Sequence, residues 1–382
     1  MAVPATAVHP YPVWGDPHDW DNPPPLRGVA RADVCVVGLG GSGLAAVGAL
    51  LDAGASVAGL DAGPVGGGAA GRNGGFLLAG GSRFHHDAVA EWGRERAVEI
   101  YHATLAELDR LEAELGGVVR RVGSVRTPAD AAEAEDCARQ REALARDGLP
   151  VAPVPDGGVL VPTDGAIQPL ARCRALAARA RAGGARLHAG TAAVDIRGDR
   201  VVTRAGEVTC GAVVVAVDGG LERTLPELAG RVRSTRAQML ATAPVAGEVA
   251  PRPVYDRRGY DYWQQLPDGR IALGGQRDRH LDTEWGAPAE PTAAVQSDLD
   301  RLLRDRVGVE APVTHRWAGV IAFTADGLPI LEEVRPGVVA TGALNGHGNV
   351  LGSAAARAAA EIALGRPTPR LARLLRPEHW DA

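Results

Sequence analysis

The sequence predicts a mixed α/β and α+β fold, with a parallel sheet built from separated stretches of chain and an antiparallel sheet inserted between them. Three observations carry that expectation. Residues 33–61, DVCVVGLGGSGLAAVGALLDAGASVAGLD, read as apolar strand, glycine turn, amphipathic helix, second strand and terminal acid. AVVVAV (212–217) is an uncharged strand of the kind found at the centre of a parallel sheet. GVVATGALNGHGNVLGSAAARAAAEIALG (337–365) runs strand, glycine turn, long Ala-rich helix at the far end of the chain.

The first stretch is the most specific. Gly38, Gly40 and Gly43 supply Gly-x-Gly-x-x-Gly, with Gly41 and Ser42 opening the helix. The first glycine permits the tight turn, the second lets backbone approach a pyrophosphate, and the third lets helix and strand pack closely. Free N–H groups at the helix start face the anion. Asp61, followed by Ala62, lies 18 residues beyond Gly43, where a carboxylate accepts hydrogen bonds from an adenosine ribose. A glycine triplet alone is weak evidence, but here strand, helix and acid all stand where a dinucleotide needs them.

The remaining elements follow in order. Residues 1–30 are proline-rich and expected to be extended, with Trp14 and Trp20 pinning the arm to the body. GPVGGGAAGRNGGF (63–76) is too glycine-rich for a regular element. Residues 87–115 show helical spacing, and a polar helix is expected over about 128–147, with Pro128 in its first turn. A helix within 168–188 leads into a β-meander that ends at the 212–217 strand. Residues 233–242 and 270–276 read as strands of a second sheet, and 298–309 as a helix. The expected division is 1–83, 161–232 and 324–382 for the nucleotide-binding domain, and 84–160 with 233–323 for the insert.

Composition narrows the function classes. A chain of 382 residues with 46% hydrophobic and 23% charged residues is an ordinary globular protein. Net charge of −5 offers no basic surface to nucleic acid or anionic membrane. All 41 basic residues are arginine, so no lysine is present to form a Schiff base. The four cysteines, at 35, 137, 173 and 210, lack metal-ligand spacing and read as reduced packing residues, and no metal is expected. No apolar run reaches membrane-spanning length, and the first residues lack the pattern of a signal peptide, so a cytoplasmic location is the default expectation.

Four blocks resemble the D-amino-acid oxidase and glycine oxidase superfamily of FAD-dependent oxidoreductases, in particular its γ-glutamylputrescine oxidase-like branch. They are ADVCVVGLGGSGL with Asp61; GGGAAGRNGGF; VVVAVDGG; and RWAGVIAFTADGLPIL with GALNGHGNVLGSAAARAAAEIALG. The resemblance implies a Rossmann-type, glutathione reductase-like FAD-binding domain with an inserted antiparallel-sheet substrate domain. It places flavin-side donors at Arg72, Asn73, Gly74 and Gly75, and at Gly346, His347, Gly348, Asn349 and Val350. It also implies an adenine contact through the Val194 backbone and a cofactor contact at Ala216. The implied chemistry is hydride transfer from a CH–NH group to flavin N5, hydrolysis of the imine, and reoxidation by O2 to give H2O2.

Several features bear on substrate and acceptor. Relatives that hold a substrate carboxylate use an arginine at the position of Ile321, so an amine, or an acid held elsewhere, is expected, with Arg316, Arg257 and Arg258 as alternative anchors. The related branch that speeds oxygen reduction with a lysine finds none here, and Ile321, Ala322 and Phe323 offer no thiol, so FAD is expected to be non-covalent. Tyr260, Tyr262 and Trp263 form an aromatic cluster whose faces suit an amine by cation–π contact, although a strand points Tyr260 and Tyr262 one way and Trp263 the other. His85, His86 and His347 are further candidates near the flavin, with His347 either a flavin contact or a helix cap. Three alternatives stand beside an amine or amino-acid oxidase: a 2-hydroxy acid or N-methyl amine as substrate, a quinone or protein as acceptor, and a non-catalytic flavin-binding sensor or subunit. Oligomeric state is left open.

Overall fold

The computed structural model describes residues 8–376. Its central sheet has six strands in the order Arg186–His188, Val57–Leu60, Val34–Val37, Ala212–Val215, Val338–Gly342 and Ile330–Arg335. The first five run parallel and the last turns back antiparallel. Val34–Val37, Val57–Leu60 and Ala212–Val215 are buried at every position, because both faces of the sheet are covered.

Strand alternation sorts the side chains between two cores. Val34 and Val36 pack beneath the helices Gly41–Asp52, Pro169–Ala182 and Leu351–Ala363. Cys35 and Val37 face the other way, toward Ile196, Val201 and Val208 of a four-stranded sheet. That sheet has the order Gly28–Arg31, Gly206–Thr209, Arg200–Thr203, Ala193–Arg197 and contains the expected meander. All four cysteines are free and buried.

A second large sheet has eight strands, in the order Val313–Thr324, Val232–Thr242, Ile271–Gly274, Asp261–Gln265, Val254–Asp256, Ser124–Thr127, Val159–Val161, Ala152–Pro153. Its spine is the long antiparallel pair that runs from Val232 opposite Thr324 to Thr242 opposite Val313. One pair departs from the expected antiparallel pattern: Val254–Asp256 lies parallel to Ser124–Thr127. These strands come from distant stretches of chain, so no hairpin fixes their direction.

Three element boundaries differ from the sequence reading. The helix expected over 87–115 is two helices, His85–Trp92 and Arg94–Leu115, broken at Gly93, whose φ is +83°. The polar helix is Ala131–Arg146, capped by the Asp130 carboxylate accepting from Glu133 N–H at 2.8 Å, so Pro128 stands before it and not in its first turn. The helix expected over 298–309 is Ala293–Asp305, shifted toward Thr292 and ending before Gly308, whose φ is +75°. In the N-terminal arm, Trp14 is buried, donates from Nε1 to Asn73 O at 2.9 Å and meets Trp317 edge-on at 6.5 Å. Trp20 is half-buried against the helix-side core. Residues 1–7 of the expected arm lie outside the described residues.

Candidate flavin and substrate cavity

A cavity of about 1190 Å³ runs between the two large sheets, from the first glycine turn to the N-terminus of helix Leu351–Ala363. At one end it is lined by Gly38, Gly40, Gly41, Ser42, Asp61, Ala62, Val194 and Ala216. Gly38 has φ +103°, and a Cβ there would stand 2.5 Å from Ala216 O, so glycine is required twice over. Asp61 is held at the strand end by accepting from Leu39 N–H at 2.7 Å and Gly63 N–H at 2.8 Å. Burial pushes its carboxyl up, against those two backbone donors.

The other end is built by two turns tied together. Arg72, Asn73 and Gly74 line the cavity from one side, and Gly346, His347, Gly348, Asn349 and Val350 from the other. Asn349 Nδ2 donates to Asn73 Oδ1 at 3.0 Å and to Phe76 O at 2.8 Å, which locks the loop to the helix start. Arg72 is a staple, donating from Nε to Gly67 O at 2.7 Å and from Nη1 to Ala318 O at 3.1 Å. Its guanidinium is desolvated, which lowers its pKa.

Two of the predicted cofactor residues do not line the cavity. Gly43 lies beneath the turn, where a Cβ would stand 1.8 Å from Gly38 O, so its part is close packing. Gly75 is turned away with φ +75°, its N–H held by Asn73 Oδ1 at 2.8 Å and its Cα facing Ile167 O. His85 and His86 are also outside it: His85 Nε2 pairs with Asp147 at 2.6 Å, and His86 lies beside Asp87 and Asp136. Among the alternative anchors, Arg316 pairs with Asp300 at 2.8 Å and Arg257 with Asp261 at 3.0 Å, both away from the cavity. Arg258 lines it but is paired with Asp136.

Tyr260 and Tyr262 line the cavity, while Trp263 points into the core on the other side of the sheet. Tyr260 precedes the strand, at the end of the short turn Arg257–Gly259. The His347 ring is held near pKa 4 by burial, with Arg126 adding to the effect. Its Nδ1 lies 3.3 Å from Asn345 O, so the proton belongs there, and Nε2 is buried with no partner. The ring centroid is 6.3 Å from that of Tyr255.

Several lining residues escaped the sequence reading, among them Asp218, Arg126, Arg277 and Arg172. Asp218 accepts from Leu344 N–H at 2.8 Å and Ala322 N–H at 3.2 Å, and burial lifts it to about 6. Arg126 and Arg277 both line the cavity and make no ion pair among the described residues. Arg172 is 1% exposed and lies under the glycine turn, where a Cβ on Gly41 would stand 2.8 Å from its Cζ. It donates from Nη1 to Asn349 Oδ1 at 2.8 Å and from Nη2 to Ser353, while its buried Nε has no partner. Helical spacing from Leu176 and Ala180 would have put Arg172 on the buried face.

The donor set fits FAD. An elongated cavity with a glycine cradle and a helix start at each end, a ribose-height acid, and a buried guanidinium lacking an anion match a long molecule with a central pyrophosphate.

The chain belongs to the DAO family of FAD-dependent oxidoreductases, whose model, FAD dependent oxidoreductase, matches residues 33–362. It is 29% identical to the probable oxidoreductase OrdL of Rhizobium meliloti over 90% of this chain and 86% of that protein. A protein of the same name from Haemophilus influenzae is 22% identical over 90% and 85%. The fold is that of glycine oxidase from Geobacillus kaustophilus, with a TM-score of 0.76 at 21% identity over 91% of this chain and 99% of that one. The L-proline dehydrogenase of P. horikoshii gives a TM-score of 0.75 at 20% identity, covering 90% and 96%. Among the described residues, no helix is long and apolar enough to cross a membrane.

Proposed function

We propose that the chain oxidises the CH–NH bond of an amine or amino acid, with FAD held non-covalently along the cavity. The observation that carries this reading is the single cavity joining the Gly38–Ser42 turn to the His347–Asn349 turn. Bound FAD supplies the acceptor for a hydride, and O2, giving H2O2, is the acceptor that follows. The name of the fold neighbour glycine oxidase agrees with this acceptor, and that of L-proline dehydrogenase with the rival, a quinone or protein. The lysine-free sequence favours the rival.

In this reading Asp61 takes the ribose, the first glycine turn takes the pyrophosphate with the buried Arg172 charge beneath it, and the backbone N–H groups of 346–350 face the flavin end. Val194 and Ala216 flank the adenosine side, and the paired Asn73 and Asn349 hold the flavin-side turns in register. His347 lines the flavin end as a neutral ring: an imidazole held near 4 takes no proton from a substrate ammonium. Tyr262 and Tyr255 are pushed up by burial, to about 12 for Tyr255, so both stay phenols and donors. Tyr260 stands at the cavity edge, 40% exposed.

Acid precipitation of purified protein tests the cofactor's attachment. The yellow chromophore should remain in the supernatant and run as FAD; flavin retained in the pellet would overturn the non-covalent reading. Peroxide formed with stoichiometric aldehyde or keto acid on turnover would identify the oxidase. Product without peroxide, sustained by a quinone analogue, would identify the rival.

A further inference from the structure

One register row of the second sheet floors the cavity. Arg126, Tyr255 and Tyr262 are cross-strand partners on three neighbouring strands, and Gly274 lies opposite Tyr262 on the fourth. Residues in one row point to one face. Gly274 has no side chain to compete: a Cβ there would stand 2.6 Å from Tyr262 Oη. The floor is therefore two tyrosine rings, 6.1 Å apart by centroid.

A guanidinium stands at each end of that floor. Arg126 Cζ lies 5.4 Å from the Tyr255 ring centroid and 5.0 Å from that of Phe84. Arg277 Cζ lies 4.6 Å from the Phe323 centroid and 5.7 Å from that of Tyr260. The charges that face them are engaged elsewhere. Asp164, behind Arg126, accepts from Ala79 N–H and Ser124 Oγ. Asp278 is paired with Arg257, and Glu284 with Arg236. The turn presenting Arg277 is over-determined: Gln276 adopts φ +62°, and both its backbone N–H and its side-chain amide are held by the fully buried Asp261. Backbone of that kind persists only where its surroundings fix it.

Two half-buried cations without carboxylates are costly unless a ligand brings the counter-charge. They also repel an oligocation, and of the aromatic faces that would suit an ammonium, those of Tyr255 and Tyr260 already carry arginines. We propose that the substrate carries two anionic groups, one received by Arg126 and one by Arg277, with the oxidisable amine between them: an amino-dicarboxylate class of compound, not a polyamine. The inference rests on the flavin reading only for the amine; the two anion sites stand on the cavity alone.

The test is calorimetric titration of the FAD-loaded protein with glutarate, butyrate and 1,4-diaminobutane, followed by anaerobic addition of amino dicarboxylates. Glutarate should bind about tenfold or more tighter than butyrate, and the diamine should not bind. Arg126→Gln and Arg277→Gln should each reduce glutarate to the butyrate level, with FAD content reporting that the variant is folded. Equal affinity for glutarate and butyrate, or binding of the diamine, would overturn the proposal without recourse to any variant. Selective glutarate binding with no flavin bleaching by any amino dicarboxylate would uphold the two anion sites and remove the amine reading.

Discussion

Arg172 gives the sharpest quantitative consequence, because its two effects have opposite signs. The guanidinium is 1% exposed, has no carboxylate bonded to it, and spends its hydrogen bonds on the neutral acceptors Asn349 Oδ1 and Ser353 Oγ. The acids it feels at longer range, Glu107 and Glu114, are already paired with Arg357 at 3.1 and 2.7 Å. Arg172→Met removes two charged hydrogen bonds, worth roughly 1.5–3 kcal/mol each, and also an ion whose burial costs several kcal/mol. The apoprotein should therefore change by no more than about 2 kcal/mol in either direction. FAD binding should suffer. A unit anion about 6–8 Å from the guanidinium, at an effective dielectric near 20, is worth roughly 2–3 kcal/mol, which is about 30- to 100-fold in Kd. Urea unfolding of the apoprotein gives the first quantity, and quenching of tryptophan fluorescence on FAD addition gives the second. A Kd within threefold of the parent protein, accompanied by a large loss of apoprotein stability, would refute the reasoning and leave Arg172 a purely structural tie.

Other consequences are simpler. Gly43→Ala should yield protein without bound FAD, since its Cβ would stand 1.8 Å from Gly38 O; a normal flavin content would contradict this. Asn349→Ala strands Phe76 O and Arg172 Nη1 and removes one of the two donors to Asn73 Oδ1, which keeps Gly75 N–H, and should cost roughly 3–5 kcal/mol of stability, read as a fall in the urea midpoint. His347 and His315 are both held near 4, below the value near 6.5 of an unfolded chain, so between these limits the unfolded state binds the protons. Stability should thus fall as pH drops from about 7 toward 4, by at most ~3 kcal/mol per histidine, and His347→Phe should flatten that slope; a profile flat or rising toward acid would be inconsistent. Catalytic efficiency should rise with pH toward the substrate amine's own pKa, with no inflection from His347 near neutrality, measured as kcat/KM from pH 6 to 10.

The nucleotide-binding half was legible because its signals are local. A glycine that must adopt φ +103° and an acid at the end of the next strand are read in one short stretch, and the buried strands betray themselves by lacking charge. The substrate half was not, because its contacts are made across strands. Arg126 is an unremarkable residue of SVRT until the parallel pairing places it beside Tyr255, and Arg277 sits in a polar turn whose backbone is fixed by Asp261, 16 residues earlier in the chain. The arginines singled out in the sequence, Arg257 and Arg316, have carboxylates within reach that only folding reveals. His85 was drawn to the flavin by adjacency to the glycine loop, but the helix it opens carries it to Asp147.

Turnover of the proposed kind requires this cavity to hold FAD and pass it a hydride from a carbon bearing nitrogen. The most direct test is the visible spectrum of the purified protein, repeated after anaerobic addition of pooled amines and of D- and L-amino acids that include dicarboxylates. The expected result is a yellow protein whose flavin bands bleach, with the amino-dicarboxylate fraction responsible when the pool is divided. A colourless protein that takes up no added FAD, or a yellow one that no amine bleaches, would contradict it.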